Sequence, residues 1–215
     1  ELFRAGISNE LFPLLLFIGI GAMIDFGPLL ANPKLLLFGA AAQFGIFMTL
    51  TLACLVNLIF PGMFSIQDAA SVAIIGAADG PTSIFVANYF NTPYIGAIIV
   101  AAYSYMALVP IIQPFAIKLC TTKKERRIRM PYEPKSVSRM TRLLFPIGVT
   151  LVAGLVAPAS VSLVGFLMFG NLIRECGVLE NLSQTAQKEL ANLITLLLGI
   201  TISASMKAES FINVQ

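Results

Sequence analysis

Residues 35–60 carry no charged side chain over their whole length. The hydrocarbon core of a bilayer takes about 20 apolar residues of helix, so this stretch is long enough to cross one. Lipid offers no water to an unpaired backbone N–H or C=O, and an uninterrupted apolar run of this length satisfies itself as a helix. The rest of the chain agrees. Of its 215 residues, 57% are hydrophobic and 12% are charged, whereas a soluble domain carries about 25% charge. We therefore expect an all-α fold, a polytopic transmembrane helix bundle.

Several of the other segments are interrupted. Residues 11–24 are apolar but too short to span, and they run into Asp25, Gly27 and Pro28. They read as a half-helix followed by a break, or as a longer tilted helix that tolerates Asp25. Within 35–60, Gly39, Ala40, Ala41, Ala42 and Gly45 would let a neighbouring helix approach closely. Pro61 and Gly62 end that span. Ser65-Ile66-Gln67-Asp68 then gives a helix start with Ser65 or Asp68 as cap. The pattern predicts helix to Ala78, an interruption at Asp79-Gly80-Pro81-Thr82, and helix again over 83–90. Two short halves around a break predict a re-entrant hairpin over 65–90, or one discontinuous span.

Residues 94–117 form a full span, bent near Pro110 and Pro114. Apolar runs 143–158 and 161–173 are separated at Pro158, residues 176–189 read as a polar interfacial connector, and 190–206 are the last apolar run. The chain thus divides into a first membrane portion 1–117, a basic loop 118–142 and the start of a second membrane portion 143–215. A short apolar segment, a Phe-Gly pair, a polar connector and a longer apolar segment occur in that order over 13–60 and again over 161–206. This echo predicts inverted structural repeats.

Nine of the 14 Lys and Arg residues lie between Lys118 and Arg142. Cytoplasmic loops of membrane proteins hold the excess of positive charge, so this loop is expected in the cytoplasm and not on nucleic acid. The chain has no histidine, which excludes imidazole catalysis and histidine-based metal binding. Cys54, Cys120 and Cys176 are odd in number and far apart, and are expected to be free thiols. The chain begins at Glu1 and stops soon after an apolar run, so both ends are expected to be truncated.

Asp79 is the residue that most needs an explanation. A carboxylate near the bilayer centre costs at least ~2.5–3.5 kcal/mol. Pro81 has no N–H and its ring collides with the carbonyl of Ala77. Gly80, preceding a proline, is biased away from helix. The helix should open here, leaving carbonyls around Ala77 beside the Asp79 carboxylate and the Thr82 hydroxyl. An all-oxygen cluster at the negative end of a half-helix suits a small hard cation such as Na⁺, or a proton on the carboxylate. A simpler role for Asp79 is to cap the following half-helix, which is compatible with ligation. By position alone, Tyr105 reads as a packing residue, and Tyr103, about 200° away around the helix, cannot share its face. Asp25 reads as a cap or interfacial residue, Asn171 and Arg174-Glu175 as an interfacial helix end, and Asn57 as an interhelical hydrogen-bond donor.

Three stretches carry a resemblance: Gly76-Ala77-Ala78-Asp79-Gly80-Pro81-Thr82, Ala101-Ala102-Tyr103-Ser104-Tyr105-Met106-Ala107-Leu108-Val109-Pro110, and Gly21-Ala22-Met23-Ile24-Asp25-Phe26-Gly27-Pro28. With Phe169-Gly170-Asn171-Leu172 and Lys124-Glu125-Arg126, they resemble the β subunit of the sodium-ion-translocating, biotin-dependent decarboxylases of oxaloacetate, glutaconyl-CoA and methylmalonyl-CoA. The resemblance implies a membrane subunit that couples decarboxylation of carboxybiotin to Na⁺ export with consumption of a proton. It places the family's sodium-binding aspartate at Asp79 and its functional tyrosine at Tyr105, which reverses the packing reading of that residue. It implies Na⁺ and carboxybiotin as ligands, and a bacterial or archaeal cytoplasmic membrane as location. The implied partners are a biotin-carrying carboxyltransferase α subunit, a small membrane γ/δ subunit and further β subunits. The family's second broken hairpin, with an Asn-Pro-Leu-Ile-Gly stretch, has no counterpart in these 215 residues. The chain is therefore expected to be a central fragment that does not pump alone. A secondary transporter of Na⁺/H⁺ or organic anions would show the same broken helices, and a membrane scaffold the same composition, though not the carboxylate at the break.

Overall fold

The computed structural model describes Gly6 and residues 9–129 and 137–205, all of them helix, turn or coil. Residues 130–136, the centre of the basic stretch, lie outside the described residues, as does the end of the last apolar run. In chain order the helices are α1 Leu11–Met23, α2 Gly27–Ala31, α3 Leu36–Ile59, α4 Ile66–Ala73, α5 Gly80–Tyr89, α6 Ile95–Cys120, α7 Arg139–Val156, α8 Val161–Cys176, α9 Glu180–Thr185 and α10 Ala191–Ser205. Three helical stretches, Pro33–Ile59, Arg139–Val156 and Pro158–Cys176, are long and apolar enough to cross a membrane, and the bent α6 makes a fourth. The chain is an all-α integral membrane protein.

Four boundaries differ from the sequence pattern, each for a local reason. The α-helix of 69–78 stops at Ala73 and tightens into a 3₁₀ segment, Ile74–Ala77. It resumes at Gly80 and not at Ser83, because Pro81 fits the first turn of a helix, where its missing N–H has no intrahelical partner to lose. The bend in α6, 53° between Ile95–Tyr105 and Leu108–Cys120, falls at residues 106–107. Pro110 pushes on the carbonyl four residues before it, so the kink lies one turn N-terminal to the proline. The connector 176–189 is mostly helical: α9 runs through a π turn, Ala186–Leu190, straight into α10.

The core unites both predicted membrane portions. Phe12 and Leu16 of α1, Ile84 of α5, Ile99 of α6, and Ala191, Ile194 and Leu198 of α10 form one buried apolar cluster. The helices α1 and α8 cross with backbones in contact. A Cβ on Gly21 would sit 1.8 Å from the Leu167 carbonyl oxygen, and one on Gly170 would sit 2.1 Å from that of Ile18. At the end of this crossing, buried Asn171 donates its side-chain amide to the Ile24 carbonyl at 3.0 Å, and Arg174 donates to the Met23 carbonyl at 2.9 Å. These are carbonyls of the last turn of α1 and the residue after it, which have no intrahelical donor. Asn171 and Arg174 thus finish another helix, while Arg174 also lies 3.9 Å from both Asp25 and Glu175. Asp25 accepts from the Gly27 N–H at 2.8 Å in the turn before α2, whose N-cap position is Phe26 and not Asp25.

The segment over 65–90 folds back on itself. Ser65 caps α4 with a full capping box: its hydroxyl accepts from the Asp68 N–H while the Asp68 carboxylate accepts from the Ser65 N–H. The other oxygen of Asp68 accepts from the Thr92 hydroxyl at 2.5 Å. Phe64 meets Tyr94 edge-on with centroids 5.8 Å apart, and the Tyr94 hydroxyl reaches the Met63 carbonyl. The start of α4 and the end of α5 are therefore joined, which is the geometry of a hairpin and not of a single span. Ten residues of α5 rise about 15 Å, half of the ~30 Å hydrocarbon core. The tip of the hairpin rests on α3, where a Cβ on Gly76 would lie 3.2 Å from backbone atoms of Gly45 and Ile46. Of the small residues in α3, Gly45 serves close approach, whereas Gly39 meets nothing within 4 Å.

Gly170→Ala should lower the thermal midpoint of the full-length protein, by overpacking worth roughly 1–3 kcal/mol, while Gly39→Ala should not. Equal midpoints for the two variants in detergent would mean that the α1/α8 contact is not close in solution. Ser65→Ala should cost about 1 kcal/mol through loss of the cap. Thr92→Val should raise hydrogen exchange in α4 and α5 together, because it unties both ends of the hairpin.

Candidate functional site

Asp79 sits at the tip of the hairpin, in the two-residue break between the 3₁₀ segment and α5. The chain turns there through Ala78, which holds the left-handed conformation with φ 55°, and straightens at Asp79 with φ −132° and ψ 107°. This conformation places Asp79 at the N-cap position of α5. Its carboxylate accepts a hydrogen bond from the Thr82 hydroxyl one turn on. Its own carbonyl accepts from both the hydroxyl and the N–H of Ser83, at 2.9 and 3.2 Å. Ser83 is fully buried, so the serine that steadies the Asp79 backbone faces the protein interior.

Asp79 and Thr82 are thus brought together, as the motif predicts. The carbonyl of Ala77 is one residue before the turn, and Pro81 has no N–H to return to it. Among the described residues no three of His, Cys, Asp and Glu converge as a metal cluster. The oxygens at the tip are instead one carboxylate, hydroxyls and backbone carbonyls, the donor types that hard cations accept. A single carboxylate with neutral oxygens matches the charge of one monovalent cation.

Tyr105 is 40% exposed, and no hydrogen bond joins its phenol to Asp79 among the described residues. Tyr103 points the other way, into the core, packed against the cluster that includes Ile84 and Ile99. The two tyrosines lie on different faces, Tyr103 against the core and Tyr105 exposed. The signal was present: Ile95, Ile99 and Tyr103 recur every four residues, and Ala102 shares their buried side, which is the core stripe of a helix. Ser83 was missed because a serine in an apolar helix gives no sign of which backbone group it will meet.

Other polar residues take structural places. Asn57 accepts from the Phe64 N–H at 3.2 Å, so it secures the turn after α3 as an acceptor and not as an interhelical donor. The cysteines are free thiols. Next to α6, the Thr122 N–H and hydroxyl bond Glu125 and hold its carboxyl below the usual carboxylate range.

The family described as "Na+-transporting oxaloacetate decarboxylase beta subunit" matches residues 1–215. The methylmalonyl-CoA decarboxylase subunit beta of Propionigenium modestum is 51% identical over 205 residues, covering 95% of this chain and 50% of the relative. The glutaconyl-CoA decarboxylase subunit beta of Acidaminococcus fermentans is 48% identical over 215 residues, covering 100% of this chain and 56% of the relative. The oxaloacetate decarboxylase beta chain of Klebsiella pneumoniae is 47% identical over 213 residues, covering 99% and 49%. The chain spans about half the length of the curated relatives it matches. With a match over its whole length and identities near one half, the chain belongs to the family of β subunits of Na⁺-transporting decarboxylases.

Proposed function

We propose that this chain is part of the membrane subunit of a decarboxylase sodium pump, with Asp79 as the residue that holds the transported Na⁺. The observation that carries the reading is a carboxylate at the tip of a re-entrant hairpin, beside the Thr82 hydroxyl and a proline-broken backbone. Na⁺ is cargo here. Asp79 supplies the charge and Thr82 orients the carboxylate. The carbonyl of Ala77 and, from α6, the phenol of Tyr105 supply further oxygens as the ion arrives or leaves. A phenol at the surface of α6 can also hand a proton toward the site.

Decarboxylation of carboxybiotin, carried by a biotin-bearing carboxyltransferase partner, takes up one proton, releases CO₂ and supplies the free energy that moves the ion. A small γ/δ membrane subunit and further β subunits complete the assembly in this reading. The basic stretch 118–142 faces the cytoplasm of a bacterial or archaeal cell, where the acidic carboxylated carrier arrives. Family membership favours this over a secondary transporter, because the matching relatives are decarboxylase subunits.

In vesicles containing the whole complex, substrate should drive ²²Na⁺ uptake. Asp79→Asn should raise the Na⁺ concentration for half-maximal decarboxylation by roughly 10–100-fold, the loss of a charged ligand, and stop uptake. Unchanged transport and Na⁺ dependence in that variant would sink the assignment. Thr82→Val should weaken Na⁺ response less, because it removes only the orienting hydrogen bond, and Tyr105→Phe should slow turnover more than it weakens Na⁺ binding. Transport that persists without any biotin protein would instead favour the secondary-transporter reading.

A further inference from the structure

The nine basic residues between Lys118 and Arg142 divide by what they touch. Arg126 turns back on the end of α6, where its guanidinium donates to the Thr121 hydroxyl at 3.1 Å and to the carbonyls of Lys118 and Thr121. Arg139 donates to the Cys176 carbonyl at 2.6 Å, and Arg142 lies 3.7 Å from Glu175. Lys135 lies outside the described residues. The other five, Lys118, Lys123, Lys124, Arg127 and Arg129, are exposed and form no ion pair among the described residues. The acid in their midst, Glu125, is taken up by the N–H and hydroxyl of Thr122. Structural contacts thus account for three of the nine charges and leave a dense unmatched group beside one helix end.

The fold fixes where that group stands. The backbone of 122–128 closes on itself, with the N–H groups of Arg126, Arg127 and Ile128 donating to the carbonyls of Thr122, Lys124 and Glu125. Arg126 staples this turn to the last carbonyls of α6, which have no intrahelical donor. The half of α6 that leads to it is apolar and open, with Ile111, Phe115 and Leu119 exposed. Ile128, between Arg127 and Arg129, is 68% exposed. An apolar helix surface that ends in cations, with one more apolar side chain among them, matches the boundary between acyl chains and headgroups.

We propose that the turn Thr121–Arg129 is a docking surface for anionic lipid, with Lys118, Lys123, Lys124, Arg127 and Arg129 facing net-negative headgroups and Ile128 set among the upper acyl chains. The staple holds these cations at the helix end, and the field of an anionic membrane surface falls off within about 10 Å. An acidic protein would answer the charges but not the exposed Leu119 and Ile128 beside them. The proposal holds for either leaflet and does not depend on the Asp79 site.

The test uses the whole decarboxylase complex, with Cys54, Cys120 and Cys176 changed to serine and a fluorophore on Ile128→Cys. A complex without the Ile128→Cys change gives the background. Vesicles contain phosphatidylglycerol and phosphatidylcholine in one fixed mixture, with bromine on the acyl chains of one or the other. Brominated phosphatidylglycerol should quench at least about threefold more than brominated phosphatidylcholine, because each cation near an anionic surface favours it roughly fivefold. Raising KCl should lower that ratio. With Lys123→Gln, Lys124→Gln, Arg127→Gln and Arg129→Gln combined, the ratio should fall to about one. Quenching by neither lipid would put the turn in water and overturn the proposal. Equal quenching by both overturns it too, because no headgroup preference is left. So does quenching that appears only when the biotin-carrying subunit is removed, which would give the surface to an acidic protein. If the combined variant does not assemble, the parent's ratio and its KCl dependence decide the matter alone.

Discussion

Pro81 has no amide hydrogen, and it stands in a segment surrounded by apolar chain. In water the backbone carbonyls of the break just before it would be hydrated. In a bilayer every such group must find a partner in the protein or line a polar site. The local fold answers this constraint in steps. The helix tightens to 3₁₀ before the break, Ala78 turns the chain through the left-handed region, and Asp79 extends. Ser83 then reaches back to the Asp79 carbonyl with both its hydroxyl and its N–H. A carboxylate is held at the apex of a hairpin whose two ends are tied together by Asp68 and Thr92.

Close backbone contact positions that apex. Without a hydrophobic drive between helices in lipid, association depends on van der Waals fit, and glycine gives the closest approach. Gly76 against Gly45 sets the tip on α3, and Gly21 with Gly170 locks α1 to α8. The second contact matters to the site at one remove, because α1 and α10 build the apolar wall on which α5 and α6 rest. Two helices far apart in sequence, α1 just before Phe26-Gly27 and α8 with Phe169-Gly170, thereby meet in one crossing. Their meeting explains why Asn171 and Arg174, after Phe169-Gly170, serve the end of α1.

The polar residues of the chain sort by what lies across from them, which hydropathy does not describe. Asp25, Asp68 and Asp79 are all aspartates beside helix ends. Asp25 bonds a surface turn next to Arg174, Asp68 joins the mouth of the hairpin, and Asp79 is at its tip, in no ion pair among the described residues. The same holds for the two tyrosines of α6. Their spacing of two residues guarantees opposite orientations, but only the packing of α6 against α5 and α10 decides which one turns inward.

The sequence by itself determined the membrane setting, the span over 35–60, the Ser65 start, the break at Gly80-Pro81 and the pairing of Asp79 with Thr82. Each of these follows from local chemistry: charge-free length, capping residues, a missing N–H and a hydroxyl one helical turn from a carboxylate. Tertiary structure decided that 65–90 is a hairpin and that the helix resumes at Gly80. It also decided that α1 crosses α8 backbone to backbone, and that Tyr103 packs against the buried core while Tyr105 is exposed. Those outcomes depend on which surfaces meet across long separations in the chain. Helical periodicity says that residues share a face, and only packing says what that face touches.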